Sequence, residues 1–203
     1  AAEALGSYQG AVVAIEPSTG RVLAMATSPS FDTNTLAVHD SVAVNNTYDE
    51  LLNAAVDPLT NRAIDELNPP GSTFKLVVAS AALSSGQFTP DSTFANPSSY
   101  VLPGTSTTIH NFDGNACGSG DQVTLATALR LSCNIPMAQL AVALGDDAIR
   151  AEAKKYGFET RFDIPLAVTA SNYPDSPLSD DQTAQTGYGQ LDVTATPLQI
   201  AMV

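Results

Sequence analysis

Residues 69–86 read PPGSTFKLVVASAALSSG, and this stretch decides how the chain folds. The Pro-Pro-Gly triplet at its start interrupts regular structure, and Ser-Ser-Gly at its end stops a helix. Between them apolar residues recur at helical spacing and cover most sides, so we predict a core helix over 72–85. Lys75 is the only charged residue between Asn68 and Pro90.

Ser72 and Lys75 lie three residues apart at the start of this predicted helix, so their side chains share one face. A serine hydroxyl becomes a strong nucleophile when a base takes its proton, and a lysine amine can be that base if burial lowers its pKa. The competing interpretation is a capping serine beside a solvated lysine. A lone lysine in an otherwise apolar helix is costly to bury unless it is used, which favours catalysis.

A second polar group, Ser132-Cys133-Asn134, interrupts two apolar segments within the region 123–145. The Ser132 hydroxyl can relay a proton between a lysine and a leaving group, and the Asn134 amide can hold a substrate amide. Taken alone, this tripeptide is better interpreted as a polar loop that breaks a helix. Its place after Ser72 and Lys75 favours the functional interpretation.

The rest of the chain mixes strands and helices. Residues 10–26 predict a β-hairpin, and the polar segment 29–67 predicts a long surface insertion with a short helix over 48–55. Thr124 can cap a helix, and Thr196 followed by a proline predicts another helix start. From the pattern alone we expect a mixed α and β domain with helices dominating its middle.

The 203 residues carry a formal net charge of −13. So few cations argue against nucleic acid as a partner, because phosphate binding needs a basic face, and against an anionic membrane surface. Hydrophobic residues make up 44% and charged residues 14%, which predicts a folded core. With two histidines, and two cysteines outside the zinc and redox spacings, we expect no metal site and no cofactor.

Together these motifs resemble a known family. Ser-x-x-Lys followed by Ser-x-Asn is the first two thirds of the signature of penicillin-binding proteins and serine β-lactamases, which ends in Lys-Thr-Gly. Residues 10–31 (GAVVAIEPSTGRVLAMATSPSF) resemble the opening hairpin of penicillin-binding transpeptidase domains. Asn61-Arg62-Ala63 ahead of PPGSTFK, and Gly189-Gln190 ahead of TATPLQIAM, resemble two further blocks of that family. The chain looks most like the class B kind, and within it the actinobacterial penicillin-binding protein A group.

The resemblance implies an α/β (α+β) fold of the serine β-lactamase and penicillin-binding transpeptidase type. Such a fold has an antiparallel sheet flanked by helices, with a helical subdomain. Residues 1–203 would be the N-terminal part of this domain, incomplete at the C-terminus, because the family's Lys-Thr-Gly follows the TPLQ helix and is absent here. We therefore expect these 203 residues alone to be weakly active or inactive.

The activity implied is a D,D-transpeptidase of peptidoglycan cross-linking that acts on D-Ala-D-Ala stem peptides. Ser72 would be the nucleophile, Lys75 the general base, Ser132 the proton shuttle and Asn134 a substrate-binding group, and β-lactam antibiotics would acylate Ser72. Division or elongation proteins would bind through regions absent from this sequence. The parent protein would lie at the extracytoplasmic face of the cell membrane, held by an N-terminal anchor.

Two alternatives to a transpeptidase remain. A serine β-lactamase or D,D-carboxypeptidase shares the nucleophile, but a class A β-lactamase also needs a deacylating glutamate. Glu152 and Glu159 are the only glutamates after Ser-x-Asn, and neither lies in a recognisable loop of that type. A non-catalytic module that senses β-lactams is the alternative of another class, although a pure binder needs no base.

Cys117 and Cys133 flank a 15-residue stretch and are either two free thiols or one disulfide. Disulfides persist in the extracytoplasmic compartment that the resemblance implies. A bridge here would stabilise the fold by roughly 3 kcal/mol in the loop-entropy model. It would also tie the Ser132–Asn134 segment to the glycine-rich stretch 114–120.

Overall fold

The computed structural model describes residues 1–162 and 164–203. In chain order its strands are β1 Gly10–Glu16, β2 Arg21–Ser28, β3 Thr93–Ala95, β4 Tyr100–Val101, β5 Thr108–Ile109 and β6 Gln122–Thr124. Its α-helices are α1 Ala2–Leu5, α2 Ser41–Leu52, α3 Arg62–Asp65, α4 Lys75–Ser84, α5 Leu125–Arg130, α6 Asn134–Leu144, α7 Asp146–Lys155, α8 Asp180–Thr186 and α9 Pro197–Met202. Two short 3-10 helices cover Thr33–Leu36 and Gly71–Phe74.

The described residues group into two compact units. The first comprises Ala1–Leu67, residues 164–169 and Thr196–Met202. The second comprises Asn68–Phe162 and Ala170–Ala195, and it contains the two motifs that carry Ser72 and Asn134.

The first unit is built on the β1–β2 hairpin, which is antiparallel from Gly10 opposite Ser28 to Glu16 opposite Arg21. It is two residues longer than the predicted 10–26. Gly20 has φ 72° and donates its N–H to the Glu16 carbonyl at 2.9 Å, which closes the turn as its glycine allows. Helices α3 and α9 pack against β1, so the hairpin is the centre of this unit.

The helix in the polar segment 29–67 is not where the sequence analysis placed it. It covers Ser41–Leu52 rather than 48–55, because Asp40 is its N-cap. The Asp40 carboxylate accepts hydrogen bonds from the N–H groups of Val42 and Ala43 at 2.9 and 3.2 Å. No residue of this helix is buried.

The second unit is mainly helical, and α6 packs against α8, α4, α5 and α7. Helix α8, which the sequence analysis did not predict, begins with a capping box between Ser179 and Gln182. Gly187 follows α8 so closely against α6 that a Cβ there would lie 2.5 Å from the Met137 carbonyl oxygen. Only a residue without a side chain allows this helix contact.

The predicted helix over 72–85 is a composite of two helical forms. Its first turn, Gly71–Phe74, is a 3-10 helix, and the α-helix begins at Lys75. Phe74 is fully buried against Phe158 and Tyr173, with ring centroids 5.4 and 6.0 Å away. These aromatic contacts fix the turn that carries Ser72.

Candidate active site

Ser72 and Lys75 are in contact but differ in solvent exposure. Ser72 is exposed, whereas Lys75 is fully buried at the first residue of α4. The Lys75 amine lies 3.1 Å from the Ser72 hydroxyl oxygen, which is hydrogen-bond distance. An accessible hydroxyl therefore lies beside a dehydrated amine.

The Lys75 amine has three further neighbours, all from the predicted second motif. It donates to the Ser132 carbonyl oxygen at 2.6 Å and to Asn134 Oδ1 at 2.8 Å, and it lies 3.2 Å from Ser132 Oγ. A neutral amine has two N–H donors and one lone pair. The two pure acceptors, Ser132 O and Asn134 Oδ1, can occupy both donors, which leaves the lone pair for a serine hydroxyl.

Burial lowers the pKa of Lys75 from 10.5 to about 8. The cause is loss of hydration, which disfavours the charged form. At neutral pH about a tenth of the molecules then carry the free amine. That fraction is large enough for Lys75 to accept a proton from a neighbouring hydroxyl.

Ser132 occupies a position where helices usually have glycine. The N–H of Ser132 donates to the Leu129 carbonyl at 3.1 Å and the N–H of Cys133 to the Ala128 carbonyl at 2.9 Å. This pair of bonds is a Schellman motif that ends α5, with Ser132 in the left-handed position at φ 57°. A side chain there is strained, and it is this side chain that reaches Lys75.

Asn134 is the first residue of α6, and Asn111 caps this helix from a distant segment. Asn111 Oδ1 accepts the N–H groups of Asn134 at 2.8 Å and Ile135 at 3.1 Å, and Pro136 has no N–H to satisfy. The Asn134 amide nitrogen donates to the His110 carbonyl at 3.0 Å. Both ends of the Asn134 amide are therefore oriented, and one N–H and one lone pair remain for a ligand.

A disulfide joins Cys117 to Cys133, between Ser132 and Asn134 in sequence. Buried Asn96 holds the other side of this bridge, because its amide accepts from the Cys117 N–H at 2.6 Å and donates to the Cys117 carbonyl at 3.1 Å. The segment 111–117 is thus fixed to the second motif by a cap and a covalent bond.

An open cleft of about 480 Å³ lies in front of Ser72. We call it the Ser72 cleft; it is lined by Gly71, Ser72, Asn134, Gln185, Tyr188, Gln190 and Leu191. One wall depends on two glycines, because Gly71 donates its N–H to the Gly189 carbonyl at 3.0 Å. A Cβ on Gly189 would lie 2.1 Å from the Gly71 oxygen.

The structure brings together all four residues that the sequence singled out, Ser72, Lys75, Ser132 and Asn134. Sequence reasoning missed Asn111, whose capping contact spans 23 residues and has no local signal. Gly189 was named only as part of a family block, and its close contact with Gly71 could not be predicted from the sequence.

Glu152 and Glu159 do not line the Ser72 cleft. Glu152 is buried in α7 and accepts from the Ser80 hydroxyl of α4 at 2.6 Å. Glu159 forms ion pairs with Arg150 and Lys154 at 2.6 and 3.1 Å. Their contacts are structural.

The described residues, 1–162 and 164–203, contain no group of three or more His, Cys, Asp or Glu side chains placed to hold a metal ion. Within the same ranges, no helix has the length and hydrophobicity to span a bilayer.

Comparison with known proteins gives consistent matches. A family model of the penicillin binding protein transpeptidase domain matches residues 10–203. The chain is 40% identical over 200 residues to peptidoglycan D,D-transpeptidase PbpA of Mycolicibacterium smegmatis, covering 98% of this chain and 40% of the relative. It is 33% identical over 207 residues to peptidoglycan D,D-transpeptidase MrdA of Escherichia coli, covering 97% and 32%.

Solved structures agree with this similarity. The crystal structure of PBPA from Mycobacterium tuberculosis matches with a TM-score of 0.90 and 39% identity, over 95% of this chain and 44% of that one. Its penicillin G acyl-enzyme complex matches with the same score and identity, over 96% and 45%. The chain thus spans less than half the length of these relatives.

Proposed function

Since the chain belongs to the penicillin-binding protein transpeptidase domain family, we propose that it forms the nucleophile-bearing part of a peptidoglycan D,D-transpeptidase. Its substrates would be stem peptides ending in D-Ala-D-Ala, and β-lactams would acylate the same serine. The observation that carries the proposal is the Lys75 amine, which lies within 3.2 Å of Ser72, Ser132 and Asn134 together.

In the first half-reaction, Ser72 is the nucleophile and Lys75 is its base. The free amine of Lys75 takes the proton of the Ser72 hydroxyl as the oxygen attacks the carbonyl carbon of the penultimate D-Ala. The amide C–N bond then breaks. The Ser132 hydroxyl protonates the departing amine and recovers a proton from Lys75, 3.2 Å away.

Asn134 positions both the base and the substrate in this proposal. Its Oδ1 accepts from Lys75, which directs the lone pair of the amine away from Asn134. Its remaining N–H and lone pair are free to bind the backbone amide of a stem peptide or the acylamino group of a penicillin. Because the His110 carbonyl fixes the other end of the amide, the group is oriented before ligand binds.

We extend the proposal to the cellular location and protein partners of the parent protein. It would act at the extracytoplasmic face of the membrane, where stem peptides are exposed, with division or elongation proteins as partners. A disulfide next to the site is consistent with an oxidising compartment.

The test is intact-mass measurement after incubation with benzylpenicillin, with Ser72→Ala as control. We expect a stable mass increase of one penicillin on Ser72 and none in the control. Incubation should be long, because these 203 residues contain no Lys-Thr-Gly. Release of the acyl group within seconds would indicate a β-lactamase instead. Unchanged noncovalent affinity in Ser72→Ala, without any adduct in the parent chain, would indicate a sensor.

A further inference from the structure

A second cleft adjoins Ser132 in the same compact unit as the Ser72 cleft. We call it the Phe112 cleft; it has a volume of about 380 Å³. Phe112, Asp113, Gly118, Leu131 and Ser132 line it, over the Cys117–Cys133 disulfide. Ser72, the nucleophile, lines the Ser72 cleft, and Ser132, the proton shuttle, lines the Phe112 cleft. The Lys75 amine contacts the hydroxyl groups of both serines.

The Phe112 cleft presents apolar groups to solvent on a rigid frame. Phe112 is fully exposed and Leu131 is 43% exposed, although both are large hydrophobic residues. The turn under Phe112 is held by the Asn111 contacts to α6 and by the N–H of Gly114, which donates to the Asn111 carbonyl at 2.9 Å. Exposed apolar surface on an ordered frame is typical of a binding site.

One carboxylate gives this cleft its charge preference. Asp113 is held by the backbone N–H of Asn115 at 3.0 Å. That bond, with one from the Asn115 side chain, lowers the pKa of Asp113 below its ordinary value, so the group is charged at neutral pH. In a chain of net charge −13, an apolar cleft with an acidic rim favours a cationic ligand.

We propose that the Phe112 cleft binds the acceptor of the transfer reaction, as an aliphatic chain that carries a primary amine. This inference rests on the proposed function, which requires a second substrate after the first amine has left. The reason is the reversibility of proton transfer. The group that protonates the departing amine also deprotonates the incoming one, so the acceptor must approach on the side of Ser132.

In the second half-reaction, Ser72, Lys75 and Ser132 account for every proton that is transferred. The acceptor amine, having left its ammonium proton in water, attacks the carbonyl carbon of the Ser72 ester. A C–N bond forms and the ester C–O bond breaks. Ser132 Oγ takes the proton of the amine and passes its own to Lys75, and Lys75 returns a proton to Ser72 Oγ. The products are the new amide and free serine.

The first experiment measures how the acyl-enzyme partitions. Ser72 is acylated with a D-alanyl thioester, and the ratio of amide to hydrolysed acid is measured by mass spectrometry with pentylamine or an ether amine of equal length. Because both products arise from the same acyl-enzyme, differences in acylation cancel. We expect pentylamine to give the higher ratio, and Phe112→Ala to lower that ratio about tenfold, as the loss of part of an aromatic contact would.

Val101→Ala is the matched control, because Val101 is 54% exposed and lies on β4, outside both clefts. Its ratio should equal that of the parent chain. Equal ratios for the two amines, or an unchanged ratio in Phe112→Ala, would overturn the inference.

The second experiment does not depend on acylation, so it separates failure of the inference from failure of the proposed function. Pentylammonium is titrated into the unacylated protein while methyl NMR signals of Leu131 and Ala116, which both line the Phe112 cleft, are followed. We expect saturable shifts that weaken several-fold in Phe112→Ala and in Asp113→Asn, and no comparable shifts with pentanoate. Shifts of equal size with pentanoate, or none with pentylammonium, would refute an amine site even if Ser72 reacts.

Discussion

The shortest contact that Lys75 makes with Ser132 is to the backbone carbonyl and not to the hydroxyl. The Lys75 amine lies 2.6 Å from the Ser132 carbonyl oxygen and 3.2 Å from Ser132 Oγ. The carbonyl accepts this bond with Ser132 in the left-handed conformation, at φ 57°. Backbone geometry at the end of α5 therefore positions the base, and the serine side chain is placed by the same turn.

Replacing Ser132 separates these two roles. Ser132→Gly should raise the free energy of unfolding by about 1 kcal/mol, because glycine adopts the left-handed conformation without strain, while acylation by penicillin slows at least tenfold. Thermal unfolding and the rate of labelling measure the two effects.

Ser132→Ala is the matched control. It also lacks the hydroxyl, but it keeps the strained Cβ, so it should lose labelling without gaining stability. If Ser132→Gly is no more stable than Ser132→Ala, the strain assigned to this turn is wrong.

The rate of acylation should depend on pH through Lys75. Because its pKa lies at about 8, the rate should rise with pH up to about 8 and then level off as the free amine becomes the main form. Labelling rates between pH 6 and 9.5 measure this. A flat profile across pH 7 to 9 would exclude Lys75 as the base.

The same pKa shift affects stability in a definite direction. In the unfolded chain Lys75 is protonated up to its ordinary pKa of 10.5, whereas the folded chain releases the proton near pH 8. The penalty for burying the charged amine is therefore fully present below pH 8. It is relieved as the pH rises from 8 to 10.5, so this residue makes the fold relatively more stable in that interval.

Asn111 should control the position of Asn134 through the cap it provides to α6. Asn111→Ala removes the acceptor of two backbone N–H groups of α6, so we expect a loss of about 1–2 kcal/mol of stability and slower acylation. Asn111→Asp keeps an oxygen acceptor at the helix N-terminus and should retain most of both. Thermal melts and labelling rates of the two variants are compared. Equal losses of stability and acylation rate in the two variants would show that the Asn111 cap on α6 does not cause these effects.

Gly189 should tolerate no side chain because a Cβ would clash with Gly71, and not only because its φ is positive. Gly189→Ala places a Cβ 2.1 Å from the Gly71 oxygen and should disrupt the turn that carries Ser72, abolishing labelling. Gly104→Ala is the matched control, since Gly104 has the same φ of 71° and no atom within 4 Å of its Cβ position. It should cost only about 1 kcal/mol, measured by thermal unfolding. Equal effects would show that φ alone matters.

Much of the fold and site could be predicted because the signals are local. The 72–85 segment shows its apolar helical spacing and its lone lysine directly, and the family and fold class that these motifs predicted are confirmed by the comparisons. Thr124 and Thr196 act as N-caps as expected, accepting from Thr127 and Gln199.

The features that could not be predicted depend on distant contacts or on weak local ones. The Asp40 cap that starts α2 is only a short polar side chain in a polar segment, so the sequence pattern does not show that the helix begins at Ser41. The 3-10 turn Gly71–Phe74 is packed through Phe74 on Phe158 and Tyr173, which lie 84 and 99 residues away in sequence. Likewise, the residues next to Ser132 in sequence do not indicate that its backbone carbonyl accepts a hydrogen bond from Lys75.

The disulfide has a consequence for a chain that is cut. The stretch Gly118–Asp121 is exposed and lies between the two bonded cysteines. A protease that cleaves there severs the backbone between Ser72 and Ser132, yet Cys117–Cys133 still joins the two pieces. The nicked protein would run as one band on a non-reducing gel and as two after reduction.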